Sequence, residues 1–109
     1  MKAIYNSKIV AESQDIEEIN GNYCFPFDSI NKSFLVASKT EKAGTIDLGE
    51  VAYYDLCIDD QIISDGVAIL TNPKKDWLKG SVIFSNEIEL KESQSFINSY
   101  LLNVLNSFF

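Results

Sequence analysis

Histidine and arginine are both absent from this chain, and each absence excludes a class of chemistry. Nine lysines stand against sixteen acidic residues, which gives a formal net charge of -7. Without histidine the chain lacks the commonest general base and the commonest zinc ligand, so we exclude serine triads and histidine-based metal sites. Without arginine and with few lysines, it has little to neutralise phosphates and nothing to read guanine. We therefore expect no nucleic-acid partner, no metal ion and no cofactor.

Cysteines and long apolar runs are also scarce. Cys24 and Cys57 are the two cysteines of the chain, each within an apolar run and neither in a Cys-x-x-Cys pair. The first residues lead directly into a strand pattern rather than into a secretory signal. No run reaches the roughly 18 apolar residues that a membrane span needs. We therefore expect a soluble cytoplasmic protein with two reduced, buried thiols and no membrane partner.

Length and composition predict one small domain over residues 1–109. Of these residues, 46% are hydrophobic and 12% aromatic, and a chain of this size can bury a stable core without disulfides or a structural metal ion. Short apolar runs separated by tight turns dominate residues 1–90, whereas residues 91–109 have helical periodicity. We expect a mainly β protein of the α+β class: a small curled or barrel-like antiparallel sheet, one short helix after Pro26, and a C-terminal amphipathic helix.

Turn residues divide the first 90 residues into predicted strands. Asn6-Ser7 and Asn20-Gly21 each separate two short runs, which indicates two hairpins. Residues 50–58 carry apolar side chains on both faces and are predicted as a central strand. Asp59-Asp60 and Asp65-Gly66 are predicted as further turns of a meander. The predicted strands span 2–5, 8–12, 15–19, 22–25, 50–58, 61–64, 67–71, 80–84 and 87–90, the last two paired as a hairpin, with a short helical turn at Asp76-Trp77.

Pro26 separates the first strands from the predicted short helix. Proline has no amide donor and ends the strand, after which Asp28 or Ser29 can cap a helix through about Leu35. Residues 36–49 are polar and poor in apolar runs, so we predict a loop there. A solvated connection and a functional loop are both open for this segment.

The last eighteen residues predict a helix with an unusually broad apolar face. At 100° per residue, the apolar side chains of residues 92–109 cover an arc of about 200°, more than a surface helix buries against one sheet. The helix is therefore either sunk in its own domain or shared with a second copy of the chain, and both interpretations are open. In the second case the protein is a homodimer whose interface contains Ile97, Leu101, Leu105 and Phe108.

Three residues are candidates for a ligand pocket. Glu12 ends a predicted strand, where it could be a buried general base or could accept backbone amides at a turn. Asn22 follows Gly21 and is most simply a turn residue. Tyr53 and Tyr54 point to opposite faces of one strand, so one of them can line a given pocket. We predict Glu12, Asn22 and Tyr53 as ligand-binding residues beside the loop of residues 38–48.

An ordered set of short motifs resembles the bacterial family known as domain of unknown function 427. The resemblance covers residues 1 to about 90 and leaves the C-terminal segment outside. It implies a compact, mostly β single domain, and a nucleotidyltransferase label has been attached to the family. The matching motifs are Met-Lys-Ala-Ile at the start, Ala11-Glu12-Ser13, Gly21-Asn22-Tyr23-Cys24-Phe25-Pro26, Ser29-Ile30-Asn31, Phe34-Leu35 with Ser38, Gly49 with Tyr53-Tyr54, Pro73, and Lys79-Gly80-Ser81-Val82-Ile83-Phe84.

Two departures from the family pattern bear on function. Where the family carries Cys-Pro-Trp-Lys-Gly, this chain has residues 45–49, Thr-Ile-Asp-Leu-Gly, and where the family has Trp-Tyr-Tyr-Pro it has residues 68–71, Ala-Ile-Leu-Thr. The chain also lacks visible phosphate-cradling glycines and clustered metal-binding acids, which nucleotidyl transfer needs. We therefore expect a non-catalytic binding or self-associating protein. The alternative is a small-molecule-binding protein or enzyme with a pocket near Glu12 and Tyr53.

Overall fold

Ten β-strands and three short 3-10 turns make up the regular structure of the described residues. The computed structural model of the chain describes residues 1–36 and 42–92. The predicted mainly β class is confirmed in these residues. The strands are β1 Lys2–Tyr5, β2 Lys8–Glu12, β3 Glu17–Ile19, β4 Asn22–Cys24, β5 Leu35–Val36, β6 Lys42–Ile46, β7 Gly49–Ile58, β8 Gln61–Pro73, β9 Val82–Phe84 and β10 Glu89–Lys91. The 3-10 turns are Phe27–Ser29, Lys32–Phe34 and Asp76–Leu78.

These strands form three antiparallel sheets. The first has the order β10-β1-β2, the second pairs β3 with β4, and the third has five strands in the order β5-β7-β8-β9, with β6 also beside β7. β5 and β6 share one edge of β7, and β8 occupies the other edge. The central position predicted for residues 50–58 is therefore confirmed. Within the described residues the sheets do not close into a barrel, so the barrel-like alternative was wrong.

Three predicted tight turns are confirmed, and their backbone explains why. Asn6 and Ser7 have φ angles of 50° and 63°, and Asp59 and Asp60 have the same pair of values. Asn20-Gly21 is likewise left-handed at both positions. Two successive left-handed residues twist a two-residue turn in the same sense as its strands, and asparagine, aspartate and glycine tolerate that conformation best.

Asp65-Gly66 is a bulge inside β8 and not the predicted turn. Tyr54 pairs with Val67 and Leu56 pairs with Ile63, so Asp55 alone stands opposite three residues of β8. Asp65 adopts a φ of 53°, and its amide donates a hydrogen bond of 2.9 Å to Oδ1 of Asp55. This side-chain acceptor replaces the missing ladder bond, which lets the strand continue past the irregularity.

The segment after Pro26 forms two separate 3-10 turns rather than one helix through Leu35. Ile30 lies between them with an extended backbone, pairs with Ala11 of β2 and is buried. The next amide, of Asn31, donates to the carbonyl oxygen of Val10 at 2.7 Å. Pairing with β2 therefore removes Ile30 from helical conformation. Neither predicted cap is used: the side chain of Asn31 caps the second turn by accepting from the amide of Ser33.

Two further predictions of local structure were wrong. The predicted loop of residues 36–49 contains an edge strand, β6, which has small or polar residues at four of its five positions and therefore no apolar strand pattern. The predicted hairpin of residues 80–84 and 87–90 does not form, because β9 pairs with β8 whereas β10 pairs with β1. Ile88 is buried in the core between these strands, so the chain crosses there from one sheet to another. Residues 37–41 lie outside the described part of the chain. The predicted C-terminal amphipathic helix also lies almost wholly outside it, in residues 93–109, which include Ile97, Leu101, Leu105 and Phe108.

The core consists of two clusters on opposite faces of the five-stranded sheet. Alternate residues of β8 join different clusters: Val67 belongs to the larger one and Ala68 to the smaller. On β7, Tyr54 packs against the larger cluster and Tyr53 against the smaller, as the strand period predicts. Burial on both faces explains why β7 lacks a polar face. No helix in residues 1–36 and 42–92 is long and apolar enough to cross a membrane.

Candidate functional site

A cavity of about 310 Å³ opens beside the only tryptophan of the chain. We call it the Trp77 groove. It lies between the β3–β4 hairpin with its following segment and the 3-10 turn that contains Trp77. Its lining consists of Asp15, Glu17, Cys24, Pro26, Phe27 and residues 77–81.

Backbone hydrogen bonds bring the two walls of the groove together. The amide of Phe25 donates to the carbonyl oxygen of Val82 at 2.9 Å, and the amide of Val82 donates back at 2.8 Å. On the opposite wall, the amide of Gly80 donates to the carbonyl oxygen of Leu70 at 2.8 Å, where the φ of Gly80 is 85°. Both walls are therefore attached to the five-stranded sheet, which gives the groove a fixed frame.

The side chains of Trp77 and Leu78 point in different directions from one 3-10 turn. Leu78 is buried in the smaller core cluster, whereas 59% of Trp77 is exposed. The amide of Leu78 donates to the carbonyl oxygen of Lys75 at 2.9 Å and closes the turn. Because Leu78 anchors the turn in the core, Trp77 is held at the surface beside the cavity. Phe27, on the other wall, is 38% exposed.

Acidic groups dominate the charge of the groove. The carboxylates of Asp15 and Glu17 line it, and the ammonium group of Lys79 opposes them. None of these three side chains forms an ion pair with another described residue. One of the two carboxylate charges is therefore uncompensated within the lining.

Cys24 contributes a protonated thiol to the floor of the groove. Burial raises the pKa of Cys24, and the negative charges of Glu17 and Asp47 raise it further. A thiol with a raised pKa is almost entirely protonated at neutral pH and is a poor nucleophile. Cys24 and Cys57 are both free cysteines; Cys24 is buried as predicted, whereas Cys57 is only partly buried, so the prediction of a buried thiol was wrong for Cys57.

An ammonium group of the chain itself already contacts one aromatic ring at this site. Nζ of Lys32 lies 4.8 Å from the centroid of the Phe27 ring and 3.5 Å from Oδ1 of Asp28. This distance is within the range in which a cation is attracted to an aromatic face. No described residue places a cation over the larger ring of Trp77.

The three residues predicted from the sequence as ligand-binding lie elsewhere in the described structure. Glu12 is exposed at the end of β2, with Oε2 3.6 Å from Nζ of Lys2. The side-chain amide of Asn22 donates to Oδ1 of Asp47 at 3.2 Å and so connects two hairpins. Glu12, Asn22 and Tyr53 do not line the Trp77 groove, and their ligand-binding role stays a prediction.

Tyr53 has a clear packing role. Its ring covers Gly44 of the edge strand β6. A Cβ atom at Gly44 would lie 2.6 Å from Cε2 of Tyr53, so a side chain there would displace the ring. It also packs against the smaller core cluster, whereas Glu12 follows Ala11 of the larger cluster. The structure thus places Tyr53 and Glu12 beside different clusters and does not bring them together.

Sequence reasoning missed the residues that form the groove. Trp77 stands in a polar segment between lysines and was assigned to a helical turn, with no further role. A lone tryptophan in such a segment is the signal that could have been used, because a large apolar side chain in a polar turn is readily exposed. Phe27, Glu17 and Trp77 line one cavity although they are distant in the sequence, and no local pattern encodes that arrangement.

Metal binding has no support among the described residues. No group of three or more histidine, cysteine, aspartate or glutamate side chains in residues 1–36 and 42–92 could hold a metal ion. Asp55 and Asp65 approach each other at the bulge. However, Oδ1 of Asp65 forms an ion pair with Nζ of Lys42 at 3.3 Å, and Oδ1 of Asp55 accepts a hydrogen bond from the amide of Asp65. Both carboxylates are thus engaged in holding the bulge.

The fold and the groove together define a small, mainly β protein with an exposed aromatic and acidic cavity. No family model matches the chain. A search of curated proteins likewise finds no match. The resemblance to the domain of unknown function 427 family therefore stays a prediction that rests on the motifs quoted above.

Proposed function

We propose that this chain is a non-catalytic binding protein that takes its ligand in the Trp77 groove. The observation that carries this proposal is the 59% exposure of a tryptophan beside a cavity of about 310 Å³. A ligand that covered the exposed part of this ring would remove on the order of 100 Å² of apolar surface from water, worth about 2–3 kcal/mol. Leu78 anchors the backbone turn that carries the tryptophan, so little backbone ordering is needed when the ligand binds.

The chemistry of the groove supports binding rather than covalent catalysis. Cys24 would be its nucleophile, but the pKa of this thiol is raised and the chain has no histidine to activate it. The alternative pocket near Glu12 and Tyr53 has weaker support, because Glu12 is paired with Lys2 and Tyr53 covers Gly44.

A thermal-shift screen against nucleotides, amines and common metabolites tests the proposal. A compound that binds only the folded state must raise the melting temperature. We expect the shift to disappear in Trp77→Ala and to persist in Ile62→Ala, which removes a side chain of equal exposure from β8. Compounds that stabilise both variants equally would place the binding site outside the groove and contradict the proposal.

Self-association is a separate proposal that rests on the sequence pattern. The apolar arc of residues 92–109 supports a homodimer through Ile97, Leu101, Leu105 and Phe108. Light scattering at high protein concentration tests it. A monomeric mass for the full chain, together with unfolding on truncation after Leu90, would assign the segment to the core of its own domain.

A cytoplasmic location and membership of the domain of unknown function 427 family are also proposals. The two free thiols support a reducing compartment. The mainly β fold of residues 1–36 and 42–92 is compatible with what the resemblance implies. Cell fractionation tests the first proposal, and the structure of a family member tests the second.

A further inference from the structure

We propose that the ligand of the Trp77 groove is a small organic cation, an alkylammonium compound whose charged group lies between the tryptophan ring and the two carboxylates. This inference rests on the binding function proposed above and names its ligand class. Three features of the groove support it. They are the charge of the lining, the type of aromatic surface, and apolar walls that suit an organic cation better than a metal ion.

Charge selects a cation over an anion. Asp15 and Glu17 line the groove against the single ammonium group of Lys79, and none of the three is paired with another described residue. The whole chain carries a formal net charge of -7, which adds a long-range attraction for cations. The raised pKa of Cys24 has Glu17 and Asp47 among its causes, so negative potential reaches the floor of the groove.

The aromatic surface favours a cation that is weakly hydrated. Tryptophan is the best aromatic partner for ammonium groups, and the face of Trp77 has no cation from the described residues. One ring of the lining already has such a contact, because Nζ of Lys32, which is not itself a lining residue, lies 4.8 Å from the centroid of the Phe27 ring. The ligand would repeat this arrangement on the opposite wall.

The walls distinguish an alkylammonium group from an inorganic cation. Pro26 and Trp77 present carbon atoms that can bury methyl or methylene groups. A divalent metal ion requires several oxygen ligands, and residues 1–36 and 42–92 contain no suitable group of three acidic or sulfur side chains. A cavity of about 310 Å³ is at the lower end of the sizes that bind small molecules.

Titration of Trp77 fluorescence with a charged and a neutral probe of the same shape tests the inference. Trp77 is the only tryptophan of the chain, so its emission reports on this groove alone. The charged probe is choline, and the neutral probe is 3,3-dimethyl-1-butanol, in which carbon replaces the quaternary nitrogen. We expect choline to bind at least about tenfold more tightly than the neutral alcohol, as cation–π and carboxylate attraction require.

Matched carboxylate variants test the role of the groove charges. Glu17→Gln removes a lining carboxylate, and Glu18→Gln makes the same change in net charge at the next residue of β3, which does not line the groove. We expect choline affinity to fall about threefold to tenfold in Glu17→Gln and to be unchanged in Glu18→Gln. Both positions are exposed, so neither variant is expected to disturb folding.

Five outcomes separate this inference from the proposed function. Equal affinity for both probes, or equal losses in the two variants, would overturn the cation inference. If a lysine-containing peptide binds and choline does not, the proposal that the ligand is a small molecule is wrong. If neither probe binds but another compound in the thermal-shift screen depends on Trp77, the binding function stands and the cation inference fails. If no compound depends on Trp77, the proposed function itself fails.

Discussion

Replacement of Gly49 by alanine is expected to destabilise this fold more than replacement of any other glycine by alanine. Gly49 begins β7 with a φ of 133°, a conformation that L residues rarely adopt. Its partner across the sheet is Pro73 of β8. A Cβ atom at this position would lie 2.5 Å from the carbonyl oxygen of Asn72 and 2.6 Å from Cα of Pro73.

The expected cost follows from these two effects. A non-glycine residue in a sparsely populated backbone region costs about 1–3 kcal/mol, and an overpacked contact costs about 1–3 kcal/mol. The obstructing atoms belong to the backbone, and the amide of Lys74 is fixed by a 2.9 Å bond to the carbonyl oxygen of Leu48. Side-chain rearrangement therefore cannot relieve the clash. We expect Gly49→Ala to lose about 2–6 kcal/mol of unfolding free energy.

Urea denaturation of Gly49→Ala and a matched variant measures this cost. Gly21→Ala is the control, since its φ is 81° but a Cβ atom there meets no other atom within 4 Å. It should lose only the left-handed penalty of about 1–2 kcal/mol. If the two variants have the same unfolding free energy, the close approach of β7 and β8 at Gly49 is wrong.

Two further predictions concern the core and the groove. Gly66→Ala should lower the free energy of unfolding by about 1–3 kcal/mol, since its Cβ atom would lie 2.9 Å from Cγ and Cδ1 of the fully buried Leu56. Thermal unfolding measures this loss, and an unchanged melting temperature would contradict the bulge geometry. Glu17→Gln should lower the pKa of Cys24, because a nearby negative charge disfavours the thiolate and its removal relieves that penalty. A carbon-13 NMR pH titration of labelled cysteine measures this shift, and an equal shift in Glu18→Gln would remove Glu17 as its specific cause.

The tight turns could be predicted from the residues that form them. Asn6-Ser7, Asn20-Gly21 and Asp59-Asp60 have side chains that tolerate left-handed backbone, so each turn could be predicted without tertiary information. The central strand could also be predicted, because apolar residues on both faces require cover on both sides. These features do not depend on which distant segment packs against them.

Other elements were decided by distant partners. Ile30 is extended because it pairs with Ala11, and that contact overrides the helix signal after Pro26. Asp65-Gly66 has the composition of a turn, but the carboxylate of Asp55 stabilises a bulge instead. In each case the deciding atom is far away in the chain, so a local pattern could not reveal it.

The candidate site depended on long-range contacts even more strongly. Trp77 lines the groove together with Glu17 and Phe27, which are about fifty residues or more away along the chain. The pairing of Phe25 with Val82 of β9 joins these segments. Tyr53 was selected for its hydroxyl group and aromatic ring, yet that ring packs over Gly44. A strand period gives the face of a tyrosine but not the neighbour that covers it.

The most direct test of the central claim is the change in Trp77 fluorescence on titration with choline, compared with the neutral alcohol of the same shape. We expect a saturable change with choline that weakens in Glu17→Gln and persists in Glu18→Gln. Choline should also raise the melting temperature of the native chain but not of Trp77→Ala. A fluorescence change that is linear in choline concentration, without a rise in melting temperature, would contradict binding in the groove.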